Sequence, residues 1–315
     1  MQITNVIINF RRHLKRRNYS VHTVKYYLYI IRQYVLWLNV PLEQASVDKI
    51  DAYIDHLHAK RMHPASINLY LVIIRVFYDY LKYDEKIKLV NPVKRNRRLR
   101  VPKPLPKCLQ QQEVEQLLEV IDNQRDMAMF KLMLRCGLRV EEVSNLTLGA
   151  VDLKRRRILV RQGKGGKDRV VYISDDAHDA LGAYLKQRSQ YRRKKIFLVE
   201  RGKYKGQPIS VRGIQKRMEF YAKQTGIKVS CHRLRHTMAT QLLNAEAEIE
   251  TIQDLLGHNW ITTTQRYCKV SNLKVQRDYF KAMRRVQQLS VQTILTHSWM
   301  PDINKNQEIL DNHKK

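Results

Sequence analysis

The chain has little of what builds metal sites, disulfide scaffolds or membrane spans. It carries four cysteines in 315 residues: Cys108, Cys136, Cys231 and Cys268. None forms a C-x-x-C pair or stands at zinc-ligand spacing from a histidine, so they read as reduced thiols. No pair of carboxylates has metal-site spacing, which leaves two-metal nuclease chemistry unsupported. No Gly-x-x-x-x-Gly-Lys-[Ser/Thr] stretch occurs, so ATP use has no signature either. No apolar run approaches the ~20 residues that span a bilayer. The apolar start is followed at once by Arg11, Arg12, Lys15, Arg16 and Arg17, which is not a signal-peptide pattern. Acids are scarce: 29 Asp plus Glu stand against 59 Lys plus Arg, a net charge of +30.

What is present points to a folded, strongly basic protein. At 43% hydrophobic residues the chain can bury real cores. A positive excess of this size implies a polyanionic partner, nucleic acid first and an anionic membrane second. The expected location is the cytoplasm, with the nucleoid.

Residues 1 to about 90 read as all-helical. Ser20 and Ser46 are N-cap candidates for helices running to about Leu38 and Lys60. From Ala65 to Tyr83, Tyr70, Ile73, Ile74, Phe77 and Leu81 share one face at helical spacing. Tyrosines cluster here, at 26, 27, 29, 34, 70, 78, 80 and 83, as core residues with a minority available to a phosphate backbone. Residues 94–107 hold seven basic residues, three prolines and no acid. Prolines keep such a segment out of helices. It reads as an interdomain linker, either tracking a phosphate backbone or merely solvated.

The block from about Leu109 onward is mixed. Helical patterns cover 111–121 and 124–135; Gly137 breaks the second, and helix resumes over Val140–Leu146. Ile158–Val160 and Val170–Ile173 flank a glycine-rich turn, Gly163 to Asp168, which is a hairpin signal. Lys195–Val199 is a candidate third strand. Helices are expected near 176–188, 211–224, 234–245, 248–256, 263–269 and 271–288. The polar tail beyond Pro301 lacks the apolar content to fold alone.

Between Cys231 and Tyr267 lies a set of groups suited to attacking a phosphodiester without a metal. The stretch reads His232-Arg-Leu-Arg235-His236, then Leu255-Leu-Gly-His258, then Tyr267 nine residues later. Arginines fork onto phosphate oxygens, histidines move protons, and a tyrosine can carry a covalent phosphate. Each motif alone is weak: Leu-Gly-His is most often a helix ending at a Gly cap. A fourth element strengthens them, Leu134-Arg-Cys-Gly137-Leu-Arg139-Val-Glu-Glu142. Arg139 falls at a helix start, where backbone N–H groups and the dipole already favour an anion.

In these motifs the sequence resembles the tyrosine recombinase family of phage-integrase and Xer-type site-specific recombinases. The family's G-L-R-x-x-E box, turn lysine, H-x-x-R box, L-G-H box and tyrosine correspond to Gly137-Leu-Arg139 with Glu142, Lys164, His232 with Arg235, Leu256-Gly257-His258, and Tyr267. The resemblance implies a mainly α fold with a small antiparallel hairpin or sheet (α+β), arranged as a two-domain C-shaped DNA clamp. Residues 1–93 would be the helical, SAM-like core-binding domain, 94–108 the linker, 109–290 the catalytic domain and 291–315 a tail.

The implied activity is DNA cutting and rejoining through a 3′-phosphotyrosyl link, for integration, excision or resolution, without metal, ATP or other cofactor. Tyr267 would be the nucleophile, Arg139 and Arg235 the clamp on the non-bridging oxygens, and Lys164 the acid for the leaving oxygen. His232 would accept a proton or bond the phosphate, and His258 would donate to it. Glu142 would orient an arginine or a histidine. Lys167 competes with Lys164, and Tyr279 with Tyr267, but the family pattern favours the first of each pair. Cys136, Trp260 and Cys268 depart from the family's usual residues without removing a catalytic group.

The implied partners are double-stranded DNA core sites and three further protomers, with a monomer in solution and accessory DNA-bending proteins. The helix expected at 271–288 would pack either in cis or on a neighbouring protomer. Without a further N-terminal arm-binding domain, the chain resembles a simple Xer-like or transposon-resolvase-like enzyme of a mobile element or replicon. A type IB topoisomerase would use the same kind of site on one duplex, and a non-catalytic DNA-binding protein could share the fold.

Overall fold

A computed structural model of the chain describes residues 3–102, 107–161, 168–188, 193–257, 264 and 279–285. The chain divides into two compact units, Met1–Pro104 and Leu105–Lys315.

The first unit is built on four helices, α1 (Ile3–Arg16), α2 (Val21–Leu38), α3 (Val47–Ala59) and α4 (Pro64–Tyr83). Their starts are chemically marked. Ser20 Oγ accepts the N–H of Thr23 at 3.1 Å and Ser46 Oγ that of Lys49 at 3.3 Å, satisfying donors a helix start leaves open. α4 begins with Pro64 after His63, whose ring nitrogen accepts from Ala65 N–H at 3.2 Å. The apolar face expected over Ala65–Tyr83 is buried: Tyr70, Ile73, Ile74, Phe77 and Leu81 all lie in the core.

The tyrosines divide by position. Tyr34, Tyr70, Tyr78 and Tyr80 are buried, Tyr27 is half-buried, and Tyr26, Tyr29 and Tyr83 are exposed. A buried phenol needs a partner, and Tyr34 and Tyr78 supply each other at 3.2 Å. Tyr78 also donates to the Leu42 carbonyl at 3.3 Å. Part of the basic segment folds back on this unit. Leu99 exchanges two hydrogen bonds with the Asn68 amide, at 2.8 and 2.9 Å, and Arg97 pairs with Asp51 at 3.0 Å.

The second unit begins with α5 (Gln111–Glu119), α6 (Gln124–Arg135) and α7 (Val140–Asn145). An antiparallel sheet follows, β1 (Val151–Asp152), β2 (Arg157–Val160) and β3 (Arg169–Tyr172) in that order. The β2–β3 register pairs Ile158 with Val171 and Val160 with Arg169. Then come α8 (Asp175–Gln187), α9 (Val211–Thr225), α10 (Cys231–Asn244) and α11 (Ile249–Leu256), and residues 279–285 are helical.

Two expectations need correction. The third strand is β1, not Lys195–Val199, which makes isolated bridges from Lys195 to Thr147 and from Leu198 to Pro208. Burial explains its apolar run, since Ile196, Phe197 and Leu198 are core residues. α10 starts three residues before the expected Leu234, because Ser230 Oγ caps it by accepting from Arg233 N–H at 3.3 Å. His232 therefore lies inside the first turn.

A buried ionic cluster ties α6 to α9. Asp126, fully buried, accepts from Arg125 at 2.7 and 2.9 Å, from Arg217 at 2.5 Å and from Tyr221 at 3.1 Å. Such a cluster holds only while every member is paired.

Tyr78→Phe would leave the Tyr34 hydroxyl and the Leu42 carbonyl buried with one bond fewer each. The expected loss is about 1–3 kcal/mol, read as a lower urea midpoint with an unchanged slope.

Candidate active site

The site is organised around two helix ends that finish in glycine. α6 ends at Cys136, whose N–H bonds the Leu132 carbonyl at 3.1 Å, and Gly137 follows at φ +65°. A β-carbon there would stand 3.2 Å from both Leu256 Cδ2 and Met238 Sδ. Conformation and space therefore both call for glycine. The turn delivers Arg139 to the N-cap position of α7. Glu142, three residues on, accepts the Arg139 backbone N–H at 2.7 Å, one half of a capping box.

α11 ends the same way. Gly257 adopts φ +58° and its N–H bonds the Asp254 carbonyl at 3.0 Å. This cap turns the carbonyls of Leu255, Leu256 and Gly257 outward as a rim, and three arginines from different elements meet it. Arg139 donates to Leu256 O at 3.3 Å and Gly257 O at 3.4 Å. Arg235, on α10 and only 2% exposed, donates to Leu256 O and to Gly137 O. Arg169, at the start of β3, donates to Leu255 O at 2.9 Å.

Glu142 is the counter-charge. Its Oε1 accepts from Arg139 Nη1 and Arg169 Nη1, both at 2.8 Å. Its Oε2 accepts from Arg169 Nη2 at 2.8 Å and from the Arg139 backbone. A carboxylate offers about four lone-pair sites, and all are used. Burial by itself pushes this carboxyl up; hydrogen bonds and charge from Arg169, then from Arg139, outweigh it and hold the pKa down at about 2.

Arg139 and Arg235, expected as site residues, and Glu142, expected to orient an arginine or a histidine, are thus brought to one place. His232 lies on α10 one turn before Arg235, with its ring 4.2 Å from that of His236, edge to face. Lys164, His258 and Tyr267 lie outside the described residues. Arg169 was not singled out from the sequence. A signal was available: strand alternation puts it on the same side as buried Val171, and an arginine on a buried side requires a partner. Among the described residues, no cluster of three or more His, Cys, Asp or Glu could hold a metal ion.

Comparison with known proteins shows the family. The phage integrase family model matches residues 107–274, and the phage integrase N-terminal SAM-like domain model matches residues 7–87. The chain belongs to the phage integrase family of tyrosine recombinases. It is 35% identical over 268 residues to tyrosine recombinase XerA of Thermococcus kodakarensis, covering 84% of this chain and 91% of that one. It is 32% identical over 279 residues to tyrosine recombinase XerC of Shewanella oneidensis, covering 85% and 89%. Among solved structures, a XerA recombinase is 27% identical with a TM-score of 0.51, over 89% of this chain and 98% of that one. A Tn1549 transposon integrase in complex with transposon right end DNA shares the fold, with a TM-score of 0.72, 18% identity and coverage of 89% and 99%. So does a lambda integrase dimer bound to a core site, at TM-score 0.70 and 17% identity, over 85% and 95%. The family's mainly helical architecture with a small antiparallel sheet is the one described above.

The lowered Glu142 pKa makes this recombinase's stability depend on pH at the acid end. A carboxyl whose folded pKa lies below its unfolded value of about 4.3 stabilises above that pH, and the contribution is lost as pH falls through about 2. Glu142→Gln is expected to lose about 3 kcal/mol near pH 7. In denaturant melts, the gap between wild type and variant should narrow as pH drops below about 4.3.

Proposed function

We propose that the protein is a site-specific DNA recombinase that cuts and rejoins duplex DNA through a 3′-phosphotyrosyl intermediate. The observation that carries this reading is the convergence of Arg139 and Arg235 on the carbonyl rim of α11, one residue before His258. A phosphoryl transition state spreads negative charge over its equatorial oxygens, and fixed planar cations meet that charge without reorganising.

In this mechanism the Tyr267 oxygen attacks phosphorus as His232 accepts its proton or bonds the phosphate. The P–O5′ bond breaks, and Lys164 protonates the departing 5′-oxygen. Arg139 and Arg235 hold the non-bridging oxygens, and His258 adds a donor. A 5′-hydroxyl from a second strand then attacks the phosphotyrosine, the steps run in reverse, and tyrosine is released. One phosphodiester replaces another, so no energy source enters the balance.

The partner is double-stranded DNA, consistent with the net charge of +30. Exchange between two duplexes calls for four protomers, two on each site, with accessory DNA-bending proteins as further candidates. Acting on DNA would put the protein in the cytoplasm; no helix among the described residues is long and apolar enough to cross a membrane. The domain reading keeps a core-binding unit over 1–93, a linker over 94–108, a catalytic unit over 109–290 and a tail.

The experiment uses nicked suicide duplexes drawn from the DNA flanking the protein's own gene. Wild type should trap a covalent 3′ adduct and map the site. Tyr267→Phe should bind the same duplex and form none; an adduct persisting in that variant rules out the nucleophile. Binding should also fall about 10³–10⁵-fold between 50 and 200 mM salt, if 6–10 phosphates are neutralised. A flat salt response would reject the reading of residues 94–107 as a linker that tracks the phosphate backbone.

A further inference from the structure

Arg169 is 8% exposed in its side chain, and all three of its guanidinium nitrogens bond acceptors of the protein itself. It joins two parts of the site described above, Glu142 and the end of α11. Its fork grips both oxygens of Glu142 at 2.8 Å, its Nε bonds Leu255 O at 2.9 Å, and its stem lies over Gly257. A β-carbon on Gly257 would come within 2.9 Å of Arg169 Cδ. The strand thereby reaches the end of α11 and the start of α7 through one side chain.

The arrangement addresses a chemical conflict. Glu142 alone beside Arg139 would form a closed ion pair and draw that guanidinium away from an incoming phosphate. Arg169 occupies two of the four acceptor sites on Glu142, and the Arg139 backbone N–H takes a third. Arg139 Nη1 keeps one bond to the carboxylate, while Nη2 is aimed by the Leu256 and Gly257 carbonyls. Two guanidiniums sharing one carboxylate retain a net positive charge, which an anion can still meet.

We propose that Arg169 is a positioning residue for the phosphate clamp, holding Glu142 and the α11 rim so that Arg139 is oriented and only partly neutralised. This rests on the clamp role proposed above for Arg139.

The test compares wild type, Arg139→Ala, Arg169→Gln and Arg169→Lys in single-turnover adduct formation on the mapped suicide duplex. A second duplex carries a methylphosphonate at the scissile position, where a methyl group replaces one non-bridging oxygen and removes the negative charge. On the ordinary phosphate, Arg169→Gln should slow adduct formation about 10–100-fold, with the Kd for DNA within about threefold of wild type. Arg169→Lys keeps the charge and the stem over Gly257 but loses the fork, so it should fold and slow the step about 3–30-fold. On the methylphosphonate, both penalties should shrink to about threefold or less, as should that of Arg139→Ala, because little charge is left to meet. A general loosening of the fold would penalise both duplexes alike.

Equal penalties on the two duplexes for Arg169→Lys, or no penalty on either, would overturn the inference. If Arg139→Ala is relieved by the methylphosphonate and the Arg169 variants are not, Arg169 alone has been misread. If Arg139→Ala itself is not relieved, the clamp reading fails and this proposal falls with it.

Discussion

Arg139 and Arg169 meet at one point of the site, and two like charges brought that close repel each other. At an effective dielectric of about 20, two unit charges about 4 Å apart repel by about 4 kcal/mol. The fold meets that constraint with a single carboxylate. Glu142 sits at N3 of α7, so its distance to the Arg139 backbone is fixed by helix geometry. Its remaining acceptor sites go to Arg139 and Arg169, which fixes β3 relative to α7. Once those two elements are set, the end of α11 has one place to dock, because its carbonyls receive the same arginines.

Helix boundaries with a chemical signal of their own could be read directly. Ser20 and Ser46 mark α2 and α3, and Gly137 stops α6. Two elements were misplaced. β1 has two residues, too few for any alternation to register, and its pairing comes from the turn that follows it. The first turn of α10 opens with Cys231 and His232, which have no strong helix preference, and the Ser230 cap that decides its start was passed over in the sequence.

The site was legible as a list and not as an arrangement. Arg139, Glu142, His232 and Arg235 were named because their side chains have chemistry and their order matches a family. The rim of Leu255, Leu256 and Gly257 carbonyls has no side-chain signature, since any residue carries that group. Arg169 escaped for a related reason. In a chain with 59 lysines and arginines, one more is unremarked until burial separates it from the rest.

Burial also separates two uses of arginine in the second unit. Arg125 and Arg217 meet at Asp126, whose carboxylate shares its charge between them, and that cluster serves to hold α6 against α9. Arg235 is as buried as Arg125, yet its Nη1 and Nη2 are directed by backbone carbonyls of Gly137 and Leu256. A carbonyl dipole fixes the direction of a guanidinium without cancelling its charge, so the field it makes remains available to an anion. Presenting carbonyls in this way requires helix ends that turn sharply and leave room, which is why the two helix ends at the site finish in Gly137 at φ +65° and Gly257 at φ +58°. The ordering cost of a charged, half-buried site is thus met when the chain folds, so cations fixed in this way would meet an anion without further reorganisation.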